Sequence, residues 1–144
     1  MRTLDQTIIT LLPSSFQRIP LFISTIRAGF PSPAEDYIEK TLDFNELLVR
    51  HPVATFCLRV SGDSMIGAGI HDGDLLIVDR ALTPSDNRIV IAMVNGELTV
   101  KRLRKKGSSV SLHAENPAYK PIDIRPDSDF EVWGVVTNVI HQVK

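Results

Sequence analysis

The chain has 144 residues, a formal net charge of −1 and 43% hydrophobic residues. That suits one compact domain with a sizeable core and a short arm, and it argues against a broad, charge-driven nucleic-acid surface while leaving room for a local patch. Cys57 is the only cysteine, which excludes an intrachain disulfide and points to a reducing compartment.

Along the chain, the first segment, MRTLDQTIITLLPSS, has no apolar run long enough to span a membrane. Asp5, Gln6 and Pro13 also spoil a signal-peptide core, so the chain reads as cytoplasmic, with no membrane partner. Residues 1–33 contain Pro13, Pro20, Pro31 and Pro33, which break any long helix. An extended arm is expected there, with room for a short helix near residues 4–12. Ser32-Pro33-Ala34-Glu35 has the form of a capping box with proline at the first helical position. It predicts a short helix through about Lys40. Asp43-Phe44-Asn45-Glu46 repeats the cap pattern and predicts a second short helical turn, ending before Pro52.

From residue 53 the pattern turns to β. VATFCLRV, DLLIVD, RIVIAMV, ELTVKRL, SVSLHA and FEVWGVVTNVIHQV are short runs rich in valine and isoleucine, separated by turn signals. Asn95-Gly96 is the strongest hairpin signal and pairs the strands on either side of it. The runs predict a mainly β fold: a curled, mostly antiparallel sheet assembly of the sandwich or half-open barrel type, with a short helical segment. Cys57, inside the first run, reads as a small buried hydrophobe.

The stretch LRVSGDSMIGAGIHDGDLLIVD, from residue 58, raises the functional question. Ser64 is either an ordinary turn serine or a nucleophile, and a nucleophile needs a base. Of the four histidines, His51, His71, His113 and His141, no two have metal-ligand spacing. None sits in a context that suggests a base, although triad members need not be near in sequence. Lysine is the other base used with serine, and it must be desolvated to be neutral. Strand alternation in residues 98–103 places Leu98, Val100 and Arg102 on one face and Thr99, Lys101 and Leu103 on the other. Lys101 therefore has neighbours that can be buried. The competing reading of KRLRKK, residues 101–106, is a solvated face or a nucleic-acid patch.

SGDSM at 61–65, DGDLLIVD at 72–79 and GELTVKRL at 96–103 together resemble the LexA/UmuD family of self-cleaving Ser-Lys peptidases, and its UmuD branch most closely. FPSPAEDYIEKTLDFNELLVRHPVAT at 30–55 and FEVWGVVTNVI at 130–140 extend the resemblance along most of the chain. It implies a LexA/UmuD-type β domain over residues 34–144, behind an arm, residues 1–33, that carries the cleavage site. It also implies Ser64 as nucleophile, Lys101 as base, and cleavage of the Ala28-Gly29 bond. The backbone amides of Asp63 and Ser64 are the candidates for the oxyanion hole. No metal or other cofactor is expected.

The resemblance further implies a homodimer active in the SOS response. A RecA nucleoprotein filament would stimulate its cleavage, and the cut form would join a UmuC-like subunit in an error-prone translesion DNA polymerase. The LexA branch carries a helix-turn-helix domain ahead of its cleavage site. The segment before Ala28 is too short and too proline-rich for one, so no sequence-specific DNA binding is expected. One departure stands out: Asn87-Arg88 replaces the Gly-Asp usual before the strand RIVIAMV, and a local change of turn is expected there. Two other classes are weighed. A signal peptidase would need a membrane anchor, and a non-enzymatic β binding module would use the basic run 101–106.

Overall fold

The structure, a computed structural model, describes residues 9–10, 17–22, 25–29 and 38–144. Two compact units are present, one of residues 12–50 and one of residues 1–11 with 51–144. The smaller unit contains a two-stranded antiparallel sheet of β2 (Arg18–Phe22) and β3 (Ile38–Asp43). A short helix, α1 (Phe44–Leu48), follows directly. Asp43 caps it as the sequence predicts, its carboxylate accepting the Asn45 amide at 2.9 Å.

The helix expected through Lys40 is not formed at its end. Ile38 to Lys40 lie in β3, where Phe22 pairs with Ile38 and Leu21 with Lys40. Pairing with β2 overrides the local helical signal, because it satisfies backbone groups along the whole segment. The capping box at 32–35 lies outside the described residues. Of the helix expected near 4–12, only residues 9–10 are described, and they form a strand.

The larger unit is an eight-stranded sheet. Its strands are β1 (Ile9–Thr10), β4 (Thr55–Arg59), β5 (Leu75–Asp79), β6 (Ile89–Val94), β7 (Glu97–Lys106), β8 (Ser109–His113), β9 (Ile122–Ile124) and β10 (Phe130–Ile140). They are ordered β1-β4-β5-β10-β6-β7-β8-β9. Every pairing among the described residues is antiparallel, and the sheet is not closed into a barrel. Each of the six predicted runs supplies a strand. The three-residue β9 was not foreseen, since IDI is too short to show a period.

Asn95 and Gly96 both take positive φ, 49° and 84°. This is the turn that matches the twist of the flanking strands, and it sets the β6–β7 register from Val94↔Glu97 to Ile89↔Arg102. At the departure noted above, Asn87 adopts φ 72°. Asparagine is among the non-glycine residues that best tolerate this conformation, so it can stand where the family has glycine.

Alternation along β6 divides the core between the two faces of the sheet. Ile91 joins Phe56, Met65, Ile70, Leu76 and Val78. Its neighbours Val90 and Ala92 pack with Leu103, Leu112 and Val135 on the other side. Cys57 is half-buried, and burial pushes its thiol pKa up, away from thiolate chemistry.

Candidate active site

Ser64 sits in the loop between β4 and β5. That loop is closed at its base by hydrogen bonds from the Val60 amide to Asp74 O and from the Gly73 amide to Val60 O, each 2.8 Å. Within it, Met65 and Ile70 are both 1% exposed. They plug the loop into the core and hold the adjoining serine at its rim. The Ser64 turn is fastened from a second side. Asn116 Nδ2 donates to Asp63 O at 3.0 Å, and the Tyr119 hydroxyl donates to Asp63 Oδ1 at 2.6 Å. The Gly67 amide donates to Glu115 O at 2.8 Å. Glu115 in turn accepts from Arg102 Nε on β7, next to Lys101. The 115–119 segment therefore couples the serine turn to the strand that carries the lysine. In the sequence Asn116-Pro117 carries only a turn signal, because the role of this segment depends on contacts with residues about fifty positions away in the chain.

Lys101 is 9% exposed and buried among its neighbours. Its Nζ lies 3.1 Å from Ser64 Oγ, 2.8 Å from Thr99 Oγ1 and 3.2 Å from the Val100 carbonyl oxygen. Burial alone lowers the lysine pKa from its usual 10.5. As an ammonium Lys101 donates to all three oxygens; as a neutral amine its two N–H groups donate to Thr99 and Val100, which leaves the lone pair for the Ser64 hydroxyl. The alternation read from the sequence thus holds, with Thr99 and Lys101 on one face.

Ser64 and Lys101 line a cleft of about 450 Å³, together with Leu58, Leu76, Ile91 and Leu98. Its apolar wall suits small, uncharged side chains of an extended peptide. The Asp63 and Ser64 amides donate to no acceptor among the described residues. Ala28 and Gly29 are exposed in a bend of the smaller unit.

The histidines are engaged elsewhere. His51 Nδ1 lies 2.6 Å from Asp79 Oδ2, and Ser111 Oγ lies 2.9 Å from His113 Nε2. His71 and His141 flank Asp74. Among the described residues, none hydrogen-bonds to Ser64. Nor does KRLRKK form a continuous basic patch. Lys101 and Leu103 are buried, Arg104 Nε is 3.5 Å from Asp86, and Lys105 Nζ donates to Pro84 O at 3.0 Å.

A serine and a desolvated lysine in hydrogen-bond contact, set in a cleft of an antiparallel β domain, offer a nucleophile beside a base. Comparison with known proteins points to a peptidase. The Peptidase S24-like family matches residues 20–137, and the chain belongs to that family. It is 47% identical to Protein MucA of Salmonella typhimurium over 128 residues, covering 87% of this chain and 86% of the relative. It is 46% identical to Protein ImpA of Shigella flexneri over 131 residues, covering 87% and 85%. With the LexA repressor of Proteus mirabilis it shares 41% identity over 132 residues, covering 90% of this chain and 64% of the relative. Within the LexA/UmuD grouping the chain is a UmuD-like member.

Proposed function

We propose that this protein is a self-cleaving serine peptidase of SOS mutagenesis that cuts its own Ala28-Gly29 bond. The observation that carries the reading is the 3.1 Å contact between Lys101 Nζ and Ser64 Oγ, made by a buried lysine. Neutral Lys101 takes the Ser64 proton as Oγ attacks the Ala28 carbonyl carbon. The Asp63 and Ser64 amides receive the developing oxyanion charge. Lys101 then gives its proton to the Gly29 nitrogen as the peptide bond breaks, leaving residues 1–28 as an ester on Ser64 and Gly29 as a free amino terminus. A water molecule, deprotonated by Lys101, hydrolyses the ester and frees the 1–28 fragment.

The family resemblance supplies the wider role. The protein works in the cytoplasm as a homodimer. A RecA nucleoprotein filament stimulates cleavage, and the processed form becomes the accessory subunit of a UmuC-like translesion polymerase. The dispersed, largely engaged charges of residues 101–106 do not favour a binding module built on that run.

The test is incubation of the purified protein at raised pH, followed by intact-mass spectrometry. Two fragments meeting at Ala28-Gly29 are expected from the native chain and none from Ser64→Ala. Cleavage that persists in Ser64→Ala, or that falls at another bond, defeats the proposal.

A further inference from the structure

A second group of chemistry-bearing side chains lies at the base of the same loop, outside the cleft. Asp74 is 3% exposed. Its Oδ1 is 2.5 Å from His141 Nδ1, and its Oδ2 accepts the His71 backbone amide at 2.8 Å while lying 3.7 Å from His71 Nδ1. The two imidazole rings are 4.8 Å apart, centroid to centroid. Both are about half-exposed, at 46% and 45%, so solvent reaches the open side of the group. One ligand atom from each of the three residues falls within 4.8 Å of the others.

This arrangement is built by the fold. His71 and Asp74 belong to one tight turn, in which the Asp74 amide donates to His71 O at 3.0 Å and Gly73 takes φ 86°. Pairing of Ile140 with Leu75 places His141 beside Asp74 by register. Two imidazole nitrogens and one carboxylate oxygen are the donor set of zinc and its first-row neighbours. Calcium and magnesium favour oxygen-rich shells instead. Bond lengths of about 2.0–2.2 Å put neighbouring ligand atoms roughly 3–3.5 Å apart. His71 Nδ1 lies 3.7 Å from Asp74 Oδ2 and the three ligand atoms spread over at most 4.8 Å, so the half-exposed rings turn inward to close on one ion. The His141–Asp74 pair reaches that spacing by exchanging the proton it shares for the ion. The His71 amide holds the carboxylate in place, as an outer-shell partner does at a metal site.

We propose that His71, Asp74 and His141 bind one divalent transition-metal ion of the zinc type, clamping the base of the Ser64 loop to the end of β10. None of the three lines the peptidase cleft, so the site is separate from the cleavage chemistry. Binding displaces the proton shared by His141 and Asp74.

The test uses the untagged full-length protein at pH 7.5. Zinc is titrated by calorimetry and cobalt by visible absorbance, with magnesium and calcium titrated alongside. One zinc or cobalt ion per chain is expected, with no saturable binding of magnesium or calcium. His71→Ala and His141→Ala, each checked by circular dichroism, should weaken zinc binding at least tenfold. Both rings are half-exposed, so their removal spares the core. No saturable zinc binding, stoichiometric binding that survives in the His71→Ala/His141→Ala double variant, or equal binding of magnesium would each overturn the proposal. Failure of the peptidase assay would leave these readouts unchanged.

Discussion

Replacing Lys101 with methionine separates what its amine does for catalysis from what it does to the fold. An unperturbed lysine is neutral in only about one molecule in a thousand near pH 7.5, and that fraction rises tenfold per pH unit. Burial lowers the Lys101 pKa below 10.5, so the neutral fraction is larger at any given pH. Self-cleavage of the native chain should climb about tenfold per pH unit below the folded pKa of Lys101, then level off above it. Donation of its proton to Asp63 raises the pKa of Tyr119, beside the serine turn, above its usual 10.0.

The stability effect has a definite sign. Between the folded pKa and 10.5, the unfolded chain binds the proton and the folded chain does not. Stability therefore rises with pH across that window, and the full penalty of burying the charge applies below it. Each pH unit of depression corresponds to about 1.4 kcal/mol. Methionine keeps the aliphatic stem and removes the charge. Lys101→Met should lose cleavage altogether. In urea unfolding at a pH below the folded pKa, it should exceed Ser64→Ala in stability by about 1.4 kcal/mol for each unit of depression read from the cleavage plateau. The gap should close as pH approaches 10.5. Cleavage would be followed by intact mass between pH 6 and 11, with the fold checked at both ends. A Lys101→Met chain that still cuts, or a stability difference that ignores pH, would refute the reasoning.

The remaining expectations address the arm, the basic run and the backbone. Nothing lies within 4 Å of the position a Cβ would take at Gly29, so Gly29→Glu should leave thermal unfolding unchanged while mass spectrometry shows cleavage blocked at the cleft. Changing Arg104, Lys105 and Lys106 together to glutamine should leave alkaline self-cleavage nearly intact, since partly exposed surface charges act weakly in salt; a dead, folded triple variant would contradict this. At Gly134 an added Cβ would meet Val78 Cγ1 at 2.6 Å and Asp79 O at 3.2 Å. Gly134→Ala should therefore lose about 1–3 kcal/mol in denaturant unfolding. Asn87→Val should lose about 1–2 kcal/mol because φ is positive there, whereas Asn87→Gly should stay close to the native stability in the same assay.

The sequence by itself determined the local features. Valine- and isoleucine-rich runs between turn signals marked the main strands, Asn95-Gly96 marked the β6–β7 hairpin, and Asp43 marked the start of α1. These signals are short-range, so residues within a few positions contain all the information. Alternation also put Lys101 on a face with Thr99 and Leu103. Motif spacing paired Lys101 with Ser64, though only through resemblance to a family.

Tertiary structure decided the rest. It turned Ile38 to Lys40 into a strand, because β2 offered backbone partners that a local helix signal does not foresee. It brought Glu115, Asn116 and Tyr119 against the serine turn, and His141 against Asp74 across 67 residues of chain. No spacing rule reaches that far. Such contacts are fixed by the β10–β5 register and by the burial of Met65 and Ile70, which exist only once the whole sheet has formed. The lysine's lowered pKa belongs here too: desolvation depends on everything packed around Nζ, and a strand pattern specifies only which side of the sheet it faces.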